Sequence, residues 1–226
     1  SLGATLNDVA WVITAYAIAN VIVIPMTSWL SQQFGRRNYF VVSIVIFTTA
    51  SFMCGNAGNI WELIAFRFIQ GLGGGALLVT AQTIITESYP AAKRGMAQAI
   101  YGMGVIVGPT LGPPLGGYIV DNFSWPYIFY INIPIGIAAL VITSAVLHLP
   151  KSKREHSIDY LGALLMVSAV TLVLLSLAVY GPQNGWGDSR TISFLIIGII
   201  LTVFFLMWEK RATEPILPLH LFKNHT

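Results

Sequence analysis

Apolar residues along this chain run together in seven long stretches, residues 9–30, 39–57, 60–85, 96–120, 126–149, 160–180 and 192–208. A helix that crosses a bilayer needs roughly 20 mostly apolar residues, and each stretch meets or nears that length. Short polar connections rich in turn formers separate several of them: Asn56-Ala57-Gly58-Asn59, Asp121-Asn122-Phe123-Ser124 and Gly181-Pro182-Gln183-Asn184-Gly185. Inside lipid only helices and closed barrels satisfy their backbone groups, and these runs are too long for barrel strands. The pattern predicts an all-α fold, a polytopic transmembrane helical bundle.

Composition agrees. The chain is 55% hydrophobic and 9% charged, with a mean hydropathy of +0.73. A soluble domain carries about 25% charged residues, so lipid must cover part of this surface. The net charge of +3 does not mark a nucleic-acid partner, because the charges fall in small clusters between apolar runs and form no basic face. Cys54 is the one cysteine and lies in an apolar run, so it reads as a small buried hydrophobe. Neither a disulfide framework nor metal-ligand spacing is present, and no cofactor is expected.

The basic residues orient the spans. Arg36 and Arg37 follow the first span, Lys93 and Arg94 the third, Lys151, Lys153 and Arg154 the fifth, and Lys210, Arg211 and Lys223 the seventh. Ten of the twelve thus fall on one side; Arg190 lies on the other and Arg67 within a span. By the positive-inside rule the connections with Arg36, Lys93, Lys151 and Lys210 are cytoplasmic, in a multi-pass protein of the cell (inner) membrane.

Arg67 sits about a turn and a half into the third span, where an arginine at the centre of a helix costs about 2.5–3.5 kcal/mol by insertion scales. One reading is that it snorkels to nearby headgroups and pairs with Glu62. The other is a lined cavity, because Gln70 lies at i+3 on its face and Gln82 lies deeper. The same span continues Gly71-Leu72-Gly73-Gly74-Gly75, small residues that let helices approach closely. A phosphate-cradling reading fails, since no strand precedes the glycines and no lysine follows.

The fourth span repeats glycine every fourth residue at Gly104, Gly108, Gly112 and Gly116, with Gly117 beside the last. A spacing of four drifts by only about 40° per step on a helix, so the glycines make one winding groove that another helix can enter. Pro109, Pro113 and Pro114 each remove a ladder hydrogen bond, which predicts a bent helix. A simple dimerisation face is the alternative; groove and prolines together favour a helix that seals and bends.

At this point the sequence resembles the major facilitator superfamily, and within it the fourteen-span drug:proton antiporters of the EmrB/QacA type. Arg67-Phe68-Ile69-Gln70-Gly71 looks like the R-x-x-Q-G of the family's fourth helix, and the resemblance implies a proton-coupling role for Arg67 and Gln70. Gly104, Gly108, Pro109, Gly112, Pro113, Gly116 and Gly117 look like the antiporter motif of its fifth helix. The run from Asp121 through Gly136 is similar to the loop and sixth helix of the drug-exporting branch. A cytoplasmic gating loop is matched in part: Gly35, Arg36 and Arg37 agree, but Gln32 stands where the family has aspartate. Glutamine can hydrogen-bond there but forms no ion pair. Arg36 and Arg37 serve equally as topology determinants.

The resemblance implies that the seven spans are helices two to eight of fourteen. Residues 1–150 would be most of an N-terminal six-helix bundle lacking its first helix, 151–209 an extra pair of linking spans, and 210–226 a lead-in to a missing C-terminal half. The composition shift at Pro150-Lys151-Ser152-Lys153 marks the first boundary independently. Glu62, Glu87, Asp159 and Glu209 all fall at span ends, so the titrating carboxylate that an antiporter needs is expected outside this sequence. Asp159 is placed in a first helical turn with Ser157 as its cap.

The implied activity is proton-coupled efflux of lipophilic or cationic small molecules, by a secondary transporter of which this is a fragment. Substrate, protons, the lipid bilayer and, in bacteria with two membranes, a periplasmic adaptor are the partners. Asn20, Gln70, Gln82 and Gln98 are candidate cavity residues. A proton-coupled importer and a non-transporting scaffold are the alternatives; the glycine–proline block speaks against the first. No G-x-S-x-G or H-E-x-x-H element points to an enzyme.

Overall fold

The computed structural model describes residues 6–147, 159–212 and Ile216. Its helices are α1 (Leu6–Phe34), α2 (Arg36–Gly55), α3 (Ile60–Ser88), α4 (Ala91–Asn122), α5 (Tyr127–Tyr130), α6 (Asn132–Val146), α7 (Tyr160–Leu174), α8 (Gly181–Asn184) and α9 (Ser189–Glu209). A π-helical stretch, Leu175–Tyr180, carries α7 into α8. Together they make seven helical segments long and apolar enough to cross a membrane. Among the described residues there is no strand. The boundary expected at 150–151, the cap at Ser157 and most of the tail lie outside the described residues.

The helices outrun the apolar stretches that announce them, which corrects two expectations. Arg36 and Arg37 are not in a loop. Gln32 belongs to the last turn of α1, both arginines to the first turn of α2, and Gly35 alone joins the two helices. Gly35 has φ 83°, a conformation open to glycine and strained for other residues. Gly181–Asn184, expected as a turn, is helical, and Gly185 at φ 92° ends it.

Prolines act differently at different depths. α4 runs unbroken from Ala91 to Asn122 through Pro109, Pro113 and Pro114. The fifth span instead divides at Ile131, between α5 and α6. Pro134 has no N–H to offer the Tyr130 carbonyl, so the ladder lapses there.

Asp159 does not lie within the first turn of α7. It is itself the N-cap of α7, its Oδ1 accepting from Gly162 N at 2.8 Å, and it also accepts from Trp208 Nε1 at 2.9 Å. This ties the start of α7 to the end of α9. The α7–α9 hairpin is closed further down by Ser176, fully buried, which donates to the Thr191 carbonyl at 2.8 Å.

α3 is the hub, packed against α1 on one side and α2 on the other. Its glycines explain how. A Cβ on Gly71 would stand 2.5 Å from the Tyr16 carbonyl oxygen, and one on Gly73 2.8 Å from Phe47 N. At both positions backbone meets backbone, and only glycine permits it. α7 and α9 pack on each other, and α7 meets α1: Met166, Phe205 and Ile216 form a buried cluster against which Met26 of α1 packs.

α4 presents the opposite case. It has no buried residue, and a Cβ on Gly104, Gly108, Gly112, Gly116 or Gly117 would meet nothing within 4 Å. The groove read from the sequence exists, but no helix among the described residues enters it.

Candidate functional site

The third span begins with an N-terminal box that settles one alternative for Arg67. Asn59 Oδ1 accepts from Glu62 N at 2.9 Å, while Glu62 accepts from Gly58 N at 2.9 Å and Asn59 Nδ2 at 2.7 Å. Both Glu62 oxygens therefore serve the helix start. Arg67 has to find partners further in.

It finds them on three elements. Arg67 Nη1 donates to Gln70 Oε1 at 3.0 Å, and Gln70 Nε2 donates to Ser51 Oγ at 2.6 Å. The Ser51 hydroxyl donates in turn to the Phe47 carbonyl at 2.8 Å. Cys54 Sγ lies 3.9 Å from the same Gln70 oxygen, on the same face of α2 as Ser51. Gln70, Ser51 and Cys54 are each at most 1% exposed. The guanidinium itself lies 5.1 Å from the ring centres of Tyr16 on α1 and Phe129 on α5, within the range of a cation–π contact.

No carboxylate pairs with Arg67 among the described residues, and its Nε is buried without a hydrogen-bond partner. A cation held this way is stabilised by ring faces and one amide oxygen. It keeps its capacity to interact with an added negative charge, strongly so in a medium of low dielectric. Val12, Cys54, Ala57, Leu63 and Phe129 close a small apolar cluster on the Asn59 side of this group.

Arg67 and Gln70, paired by the sequence reading, are thus brought together. The cavity candidates are not. Asn20 lies on α1 against Gly75, its Oδ1 2.8 Å from where a Cβ there would sit. Gln98 on α4 donates to Thr86 Oγ1 at 2.8 Å, and Gln82 lines a groove on α3 with Val79, Thr83, Thr86 and Glu87. Asn20, Gln82 and Gln98 instead stand at successive levels along one side of α3, at Gly75, Gln82 and Thr86, away from the Arg67–Gln70 pair.

The arginine pair at the α1–α2 joint makes two long-range ties. Arg36 Nη1 donates to Glu87 Oε2 at the far end of α3, an ion pair with both side chains about one-third exposed. Arg37 Nη2 donates to the Ser144 carbonyl at 2.9 Å, near the end of α6. Gln32 takes no part; its amide reaches only Ser28 Oγ, at 3.4 Å. Glu87, Ser51, Tyr16 and Phe129 were missed from the sequence. Glu87 alone left a signal there, an acidic residue at a span end that faces a basic joint.

A bundle of seven apolar helices with a half-buried arginine on its central helix is the architecture of a polytopic membrane protein. The profile of the Major Facilitator Superfamily matches residues 1–210, and the chain belongs to that family. It is 38% identical over 226 residues to the "Multidrug export protein EmrB" of Escherichia coli (strain K12), covering 99% of this chain and 44% of that protein. It is 36% identical to the "Fatty acid resistance protein FarB" of Neisseria gonorrhoeae, covering 99% and 44%. With the "Multidrug transporter protein MdtP" of Bacillus subtilis (strain 168) the identity is 34%, covering 98% and 41%. The chain therefore spans less than half the length of these curated relatives.

Proposed function

We propose that this chain forms helices two to eight of a proton-coupled exporter of amphipathic small molecules, lipophilic or cationic, in the inner membrane. The observation that carries the reading is the Arg67–Gln70 pair, an intramembrane cation with no carboxylate partner among the described residues. In this reading Arg67 is the fixed positive charge against which a membrane carboxylate from elsewhere in the transporter gains and loses its proton. Similarity to multidrug exporters along nearly all of the chain supports the same activity.

The ends divide the remaining work. Residues 1–150 act as one bundle and 151–209 as the linking pair, with the joint at Gly35 on the cytoplasmic side, as the loop charges require. The open glycine groove of α4, with Pro109 and Pro113, receives a helix of the opposite half during sealing. Arg36 and Arg37 hold α2 to α3 and α6, so that this half moves as a unit. A periplasmic adaptor is a further partner where a second membrane must be crossed.

The test is drug-dependent proton release from proteoliposomes that hold the full-length transporter carrying Arg67→Ala or Gln70→Leu. Coupling through this pair requires that release fall by at least about tenfold, the loss of one charged hydrogen bond and more. Wild-type rates in both variants would remove the pair from the mechanism.

A further inference from the structure

The groove on α3 is lined by Val79, Gln82, Thr83 and Thr86, the spacing of a single helical face, and ends at Glu87. Its volume is about 260 Å³, below the roughly 300–1,000 Å³ of a site for a drug-sized ligand. It takes a head group, not a whole drug. Its polar atoms are mostly acceptors. Thr83 and Thr86 spend their hydroxyl protons on the carbonyls of Val79 and Gln82, at 3.0 and 2.8 Å, which leaves oxygen lone pairs free. Thr86 uses one to accept from Gln98 of α4. The one formal charge is the Glu87 carboxylate, and Arg36 already occupies it.

We propose that this groove is an entry subsite for organic ammonium ions, and that such a ligand competes with Arg36 for Glu87. An ion pair with both partners one-third exposed is weakly held. A ligand that brings an ammonium to the carboxylate and an apolar body to Val79 therefore displaces it. Displacement frees Arg36 at the one-residue joint between α1 and α2, so occupancy of the groove is read directly by the contact that ties α2 to the end of α3. The inference rests on the exporter reading for its choice of a cationic substrate class, but its test needs no transport.

Binding of fluorophenethylammonium to the purified chain in detergent is followed by fluorine NMR, with neutral fluorophenylethanol as control. The wild type is expected to bind the cation in preference to the alcohol. Glu87→Gln removes that preference. Arg36→Gln strengthens cation binding by about two- to fivefold, the worth of an exposed ion pair. Thr83→Leu fills the groove, leaves both charges in place and weakens binding, which keeps the proposal testable if Arg36→Gln does not fold. Equal binding of cation and alcohol by the wild type, an unaltered preference in Glu87→Gln, or unaltered binding in Thr83→Leu overturns it. Loss of proton coupling in vesicles with this binding intact would fault the exporter reading alone.

Discussion

Arg67 donates to Gln70 at 3.0 Å, one turn along the same helix, and Gln70 hands the connection across to Ser51 on α2 at 2.6 Å. A single amide thus joins a membrane-embedded cation to a neighbouring helix. Gln70→Leu removes both contacts and leaves the guanidinium with ring faces only. Hydrogen bonds to charged groups are worth about 1.5–3 kcal/mol, so this variant is expected to unfold in detergent at a clearly lower temperature than the wild type. Gln70→Glu keeps an acceptor at the site and should retain most of the stability. Equal melting of Gln70→Leu and wild type would show that the amide has no structural role.

The two glycine-rich helices give opposite forecasts. Alanine at Gly71 or Gly73 places a Cβ against backbone atoms of α1 or α2 at 2.5 and 2.8 Å. Overpacking of this kind costs about 1–3 kcal/mol, and backbone cannot turn aside as a flexible side chain can. Alanine at Gly112 meets nothing and should leave stability within about 0.5 kcal/mol. Thermal unfolding of the three variants, followed by tryptophan fluorescence, checks the contrast.

Gly35 is a test of backbone conformation alone, because a Cβ there would touch no neighbour while φ is 83°. Gly35→Val is expected to destabilise the chain by about 1–2 kcal/mol through left-handed backbone strain. Gly95→Val serves as the control, since its Cβ also meets nothing and its φ is ordinary. A difference between the two in denaturation experiments isolates the strain.

Asp159 holds two elements at once, capping α7 and accepting from the Trp208 indole. Asp159→Ala loses the cap, worth about 0.5–2 kcal/mol, together with the tie to α9. Trp208 is then freed at the end of its helix. The expected result is a lower unfolding temperature and a shift in tryptophan emission that Asp159→Asn, which still caps, largely avoids.

Much of the architecture is legible along the chain because a bilayer imposes a length and an apolar content on each span, and both are local properties. Every span lies within a few residues of its apolar stretch. Boundaries differ where the helix continues into polar sequence, as at Arg36 and Arg37, whose place in α2 depends on Gly35 making the whole turn. Arg67 and Gln70 are also legible as a pair, since i and i+3 neighbours are set by the helix itself.

The rest depends on distant segments. Ser51, Tyr16 and Phe129 have nothing in their own surroundings to link them to Arg67; docking of α2 and α1 onto α3, and of α5 onto α2, brings them there. Both glycine-rich spans promise close helix contact in sequence, yet one is filled by Tyr16 and Phe47 backbone and the other lies open. Glu87 meets Arg36 only because α3 runs back along α2 to the same end of the bundle. By itself, then, the sequence determined the seven helices and the residues that share a face within each, because helical periodicity and the demands of lipid act locally. Only the tertiary structure decided which faces meet, and with them the partners of Arg67 and of Arg36, because close packing selects among many apolar surfaces by shape, and shape belongs to the assembled bundle.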